Sequence, residues 1–124
     1  IMSIPTQPSP QIQEMTQVAR VQIQGMISNQ RKITGGDWSP DGRHIVLRSY
    51  TDAMVWTVDS CAPLAHWELP PDRVYVGITV QGEAIAFDGE ETLVVTSEGS
   101  PMPVLSTPCL EWNPPEEKTC PLRP

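Results

Sequence analysis

The feature that most constrains this chain is a pattern written twice. Residues 33–59, ITGGDWSPDGRHIVLRSYTDAMVWTVD, read as three short strands separated by tight turns, and the same landmarks return further along. Gly36-Asp37, Asp41-Gly42 and Ile45-Val46-Leu47 reappear as Gly82-Glu83, Asp88-Gly89 and Leu93-Val94-Val95, at offsets of 46, 47 and 48 residues. Self-similarity at such a period marks a supersecondary unit that stacks on its neighbours, because one unit alone cannot bury its apolar face. The turns carry their own chemistry: in Pro40-Asp41-Gly42 the proline fixes φ, the aspartate tolerates the bend and the glycine takes positive φ.

The spacing matches a four-stranded β-propeller blade. The fold class read from it is all-β: a β-propeller segment of about two four-stranded blades with Pro-rich extended termini. In the first unit Ile33–Ser39 is the innermost strand, and Gly35-Gly36 there allows backbones to crowd. His44–Tyr50 is the second strand, and its unbroken Ile45-Val46-Leu47 run suits a strand covered on both faces. Ala53–Val58 is the third, and residues 65–69 supply the fourth. The second unit runs through Val74–Phe87 and Thr92–Glu98, with a third strand at Met102–Ser106 that Pro101 and Pro103 confine to an edge. Upstream, Val18–Gln24 alternates Ala19, Val21 and Ile23 with Arg20, Gln22 and Gln24, the period of a half-buried strand.

Three regions follow: an extended arm over residues 1–17, which carries Pro5, Pro8 and Pro10; the blades over 18–106; and a Pro-rich tail over 107–124. Four blades of about 40 residues already need roughly 160 residues. A chain of 124 residues is therefore expected to be a piece of a larger protein, or to be completed by a partner.

Charge removes some partners. The net charge is −7 and Arg31-Lys32 is the only adjacent basic pair, whereas phosphate backbones and anionic membrane surfaces require clustered Lys and Arg. No nucleic-acid partner is expected. No transmembrane segment is expected either, since no apolar run approaches the ~18 residues of a membrane helix. Cys61, Cys109 and Cys120 have no CxxC and no zinc-like spacing. Cys61 and Cys109 are 48 residues apart, which places them at equivalent points on neighbouring units. Packed sheets stand about 10 Å apart, beyond the reach of a disulfide. The expected pair is therefore Cys109–Cys120, folded back within the tail.

Asp37 and Glu83 each follow a glycine and are expected at the same place in the two units. If the inner strands approach a common axis, the two carboxylates converge. Converging oxygens are what Ca²⁺ or Mg²⁺ takes, and paired carboxylates can activate water. Equally, each can cap backbone N–H groups or meet a basic residue. Glu98 is a further candidate for such a site. Arg48, in a covered strand, needs a carboxylate or carbonyl partner, and an ion pair between units is expected. His44 and His66 have no HExxH or triad setting, no GxSxG is present, and Ser39 precedes proline without an identifiable base. Nothing in the sequence demands an enzyme.

The stretches ITGGDWSPDGRHIVLRSYTDAMVW and QGEAIAF, the latter followed by TLVVTSEG, resemble the C-terminal blades of bacterial secreted β-propellers. The similar families are the esterase-like and phytase-like propellers and the broader TolB/WD40-like SPDG repeats. The resemblance covers Val18 to Leu105; the chain departs from it in lacking earlier blades and in its Pro/Cys tail. It implies a six-bladed extracytoplasmic protein, whether secreted, periplasmic or membrane-peripheral. Two functions follow. One is a non-catalytic segment serving as a binding or assembly module, partnered by the remaining blades or another protein. The other is the C-terminal part of a metal-dependent propeller hydrolase that uses Asp37 and Glu83 with a cation such as Ca²⁺.

Overall fold

A five-residue turn builds the first sheet. Ser39 Oγ donates to Asp41 Oδ1 at 2.6 Å and accepts the His44 N–H at 2.9 Å. Asp41 Oδ1 also accepts the Arg43 N–H at 2.9 Å, and the Gly42 N–H closes on the Ser39 carbonyl at 2.9 Å. These bonds are all local, so the bend pairs its Gly42 and Arg43 N–H groups within itself. The computed structural model describes residues 2–3, 12, 14–59, 61–62, 65–77, 79, 81–89, 92–102 and 104–108.

The elements in chain order are β1 (Met2–Ser3), β2 (Thr16–Gln17), the single helical turn α1 (Ser28–Arg31), β3 (Ile33–Trp38), β4 (His44–Ser49) and β5 (Ala53–Thr57). A 3₁₀ turn at Ala65–Glu68 follows, then β6 (Asp72–Val74), β7 (Gly82–Phe87), β8 (Thr92–Ser97) and β9 (Leu105–Pro108). Two antiparallel meanders dominate: β3-β4-β5-β6 and β7-β8-β9; β1 and β2 form a separate two-stranded pair. The fold is all-β, with helix among the described residues confined to α1 and the 3₁₀ turn.

The two meanders share one ladder. Both begin with a bulge: Ile33 pairs with Ser49 and Gly35 with Arg48, so Thr34 is extra, just as Glu83 is extra between Gly82↔Ser97 and Ala84↔Thr96. Matching the ladders sets each β3 residue against the β7 residue 49 places on, and each β4 residue against the β8 residue 48 places on. Ile33 matches Gly82, Thr34 matches Glu83, Asp37 matches Ala86, Val46 matches Val94 and Arg48 matches Thr96. Asp37 and Glu83 are thus not equivalent. The Gly-acidic dipeptides coincide in sequence, but the strands around them are set three residues differently. The turn after β7 is also shorter, four residues against five after β3.

The core lies between the meanders. Val46, Ala53 and Val55 of the first sheet meet Ile85, Leu93 and Val95 of the second, with Val76 from the connection between them. The first sheet is covered on its other face too. Met54 and Trp56 are buried there, beneath the 3₁₀ turn and Pro70-Pro71. That double cover is what the unbroken apolar run of β4 predicts.

Several elements differ from the sequence reading. Val18–Gln24 keeps its alternation, with Ala19, Val21 and Ile23 half-buried and its polar residues exposed, yet it joins no ladder. The fourth strand of the first sheet is Asp72–Val74, while residues 65–68 form the 3₁₀ turn. Pro70 and Pro71 have no N–H to donate, so pairing starts directly after them. β9 extends through Pro108, two residues into the expected tail, and the expected arm carries the short β1–β2 ladder. Cys61, left over as a thiol in the sequence reading, is disulfide-bonded. In a chain of three cysteines the expected Cys109–Cys120 pair cannot stand beside that bond, and both residues lie outside the described ones. Cys61 itself occupies a turn after β5, not a strand of the repeat.

Candidate functional site

The densest polar chemistry sits at the seam where edge strands β3 and β7 run side by side. An edge strand leaves every second backbone group without a ladder partner. Here the first sheet supplies them. The Gly82 N–H donates to the Tyr50 carbonyl at 3.3 Å, and Thr34 Oγ1 donates to the Gly82 carbonyl at 2.6 Å. At the far end, Asp37 Oδ2 accepts the Phe87 N–H at 2.9 Å. The bulge in β3 places Thr34, and strand alternation places Asp37, on the side facing β7.

Arg48 is the centre of the seam and is fully buried, at 0% exposure. Its Nη1 donates to the Ala84 carbonyl at 2.8 Å and to the Thr96 carbonyl at 2.9 Å, and its Nη2 donates to Thr79 Oγ1 at 2.9 Å. Nε has no partner. Burial pulls the guanidinium pKa below its usual value and the nearby Glu83 charge opposes that pull; a guanidinium stays charged at neutral pH regardless. The ion pairs among the described residues are Arg43–Asp41 at 3.8 Å and Arg73–Asp52 at 3.7 Å. The expected ion pair of Arg48 is therefore replaced by carbonyl and hydroxyl acceptors, with Glu83 acting at longer range. Gly82 makes the space: a Cβ there would lie 2.3 Å from Nη2 and 2.5 Å from Cζ.

The structure does not bring the two candidate metal ligands together. Asp37 meets β7 at its last residue, Phe87, whereas Glu83 is the second residue of that strand. Four residues of extended strand span about 13 Å. Glu98 lies in the bend after β8 and is exposed. No group of three or more His, Cys, Asp or Glu suited to a metal ion occurs among the described residues.

The remaining polar residues serve local structure. Burial raises the Asp41 carboxyl pKa, but hydrogen bonds from Ser39 and Arg43 and the charges of His44 and Arg43 bring it below the usual value. His44 is buried on the seam side of β4. Burial lowers its pKa, the Asp41 charge opposes this and Arg43 adds to it. His66 packs at a tilt against Trp67, 4.2 Å between ring centroids, and Trp67 lies 5.2 Å from Trp56, also tilted. Trp56 Nε1 donates to the Leu69 carbonyl at 3.1 Å, which anchors the indole over the 3₁₀ turn. Beside it, a groove of about 180 Å³ runs between Ile23 and Met54, Trp56 and Pro70-Pro71.

Sequence reasoning singled out Arg48 and Asp37 and placed Gly82 in the repeat, but missed Thr34, Thr79 and the space that Gly82 leaves for Arg48. The available signal was the pairing of a covered arginine with a glycine one unit later. Taken together, these groups join two sheets; they align no nucleophile with a base. Comparison of the chain with protein-family models, with curated proteins and with solved structures finds no match.

Proposed function

We propose that this chain is a non-catalytic β-propeller segment acting as a binding or assembly module in a larger extracytoplasmic protein or complex. The observation that carries this reading is the repeated ladder: two meanders with the same bulge and register, packed through their first strands. Stacking of like units is how propeller blades bury their faces. The disulfide at Cys61 favours an oxidising compartment, which agrees with an extracytoplasmic setting. A metal-dependent hydrolase has less support. Asp37 is engaged by a backbone N–H at one end of β7 and Glu83 lies near the other. Native mass spectrometry of the protein from its source is the test. The expected result is a species well above 13.7 kDa, either a longer polypeptide or a defined complex. A lone monomer with ester- or phosphoester-hydrolysing activity that disappears on chelation would overturn the proposal.

A further inference from the structure

The chain contains two Asp-Gly steps, Asp41-Gly42 and Asp88-Gly89, and each lies in the hairpin turn between the first two strands of its sheet. Asp-Gly is the peptide step most prone to cyclise, because glycine has no side chain to shield its amide nitrogen or restrict its backbone. That nitrogen attacks the carboxyl carbon of the aspartate side chain. A C–N bond forms, one carboxyl oxygen leaves as water with the amide proton, and a five-membered succinimide results. Water then opens the ring at either carbonyl. Opening at the side-chain carbonyl restores aspartate. Opening at the main-chain carbonyl breaks the former peptide C–N bond and leaves isoaspartate, whose backbone runs through Cβ and Cγ. One water is released and one is taken up, so no oxidant, reductant or enzyme is required.

The two turns treat these reacting groups oppositely. In the first, the Gly42 N–H donates to the Ser39 carbonyl at 2.9 Å. Asp41 Oδ1 accepts the Ser39 hydroxyl at 2.6 Å and the Arg43 N–H at 2.9 Å, and Arg43 Nε lies 3.8 Å from Asp41 Oδ2. Amide and carboxylate are both committed. In the second turn the closing bond runs from the Asp88 N–H to the Thr92 carbonyl at 2.8 Å and uses neither group. Among the described residues, no donor or cation meets the Asp88 carboxylate and no acceptor takes the Gly89 N–H. Gly89 is exposed, and nothing lies within 4 Å of where its Cβ would stand, whereas Trp38 Nε1 is 3.7 Å from that place at Gly42. We infer that Asp88-Gly89 is a site of spontaneous succinimide and isoaspartate formation, and that hydrogen bonds protect Asp41-Gly42 from the same reaction.

The product bears on the seam. Isoaspartate adds a backbone atom to a four-residue turn, directly after Phe87, whose N–H is capped by Asp37 Oδ2 at 2.9 Å. A longer turn displaces the end of the hairpin against that cap. Since the reaction runs without a partner, its extent follows the age of the molecule.

Ageing the folded full chain near neutral pH, followed by peptide mapping and enzymatic methylation of isoaspartyl groups, reads both steps in one sample. Isoaspartate is expected at Asp88. At Asp41 it should form at least about 100-fold more slowly, or ~2.7 kcal/mol of barrier at about 1.36 kcal/mol per tenfold. In concentrated urea, where the protecting bonds are gone, the two steps should react at similar rates. Asp88→Glu, which would need a six-membered ring, should lose the signal. Equal rates in the folded protein, or a ratio that persists in urea, would overturn the assignment to the fold. An Asp88 that stays unmodified when folded, while the urea sample accumulates isoaspartate, overturns the inference outright. The isomerised chain, isolated by ion exchange, should melt below its parent, and an equal melting temperature overturns the link to the seam.

Discussion

The two sheets share a ladder and differ in what their matching residues touch. In the first, Asp37, His44 and Arg48 face a neighbouring sheet and are engaged or enclosed by it. In the second, the matching residues are Ala86, Thr92 and Thr96, and the face they occupy has no sheet against it among the described residues. A common backbone register therefore does not fix the polar chemistry of a face. Side chains that reach across a seam are worth keeping only where a seam exists, because a buried guanidinium without acceptors costs several kcal/mol.

Exchanging residues between matching positions tests this contrast most severely. Arg48→Ala would leave the Ala84 and Thr96 carbonyls unpaired and a void beside Gly82. Urea unfolding is expected to show a loss of about 3–4 kcal/mol. The opposite exchange, Thr96→Arg, should stay within about 0.5 kcal/mol, since an exposed arginine head can reach water. Equal effects at the two positions would break the comparison.

Gly82→Ala comes next. The new methyl collides with the Arg48 guanidinium, and overpacking of this kind costs about 2 kcal/mol. In the Arg48→Ala background the same change should cost much less, a coupling that a double-mutant cycle reads directly. Additive losses would mean that Gly82 is not there to admit Arg48.

Asp37→Ala should cost about 1–2 kcal/mol by stranding the Phe87 N–H, whereas Ala86→Asp, its register mate, should be near neutral. If Asp37 acts only as this cap, a chelator leaves the wild-type melting temperature unchanged. A drop of several degrees on chelation would return Asp37 to the list of metal ligands.

The smallest effect is on pH dependence. Burial holds the folded-state pKa of His44 below its ordinary 6.5, so between the two values the unfolded chain binds more protons. Stability present above pH 6.5 is then lost as pH falls through the folded value, and Asp41 adds a loss of the same sign below 3.8. Urea midpoints should decline from pH 7 to pH 5 and flatten in His44→Gln. A midpoint that rises over that range would contradict the burial argument.

Much of the fold is legible in the residues. The alternation and apolar runs of β3, β4, β5, β7 and β8 locate those strands, and the Pro-Asp-Gly and Asp-Gly turns join them. What the sequence hides is register. A bulge adds one residue to a strand without changing its composition, and Thr34 and Glu83 look ordinary until their ladders are drawn. The apparent kinship of Asp37 and Glu83 fails for that reason, and the site built on it separates. Val18–Gln24 fails differently. Its period reports which side chains are covered, and cover does not require a hydrogen-bonded neighbour.

The seam also orders events in time. Each meander is assembled from hairpins whose partners are near in sequence, while Thr34 meets Gly82 and Arg48 meets Thr96 across 48 residues, and Asp37 meets Phe87 across 50. Contacts between distant residues bear the larger loop-closure entropy and form after local ones. Arg48 therefore enters its carbonyl cradle late, when both sheets already exist. Interactions missing from the folding barrier act on escape from the native state, so weakening the seam should leave the folding rate nearly unchanged and speed unfolding. The arginine that joins the sheets is, in kinetic terms, the latch that sets how long they stay joined.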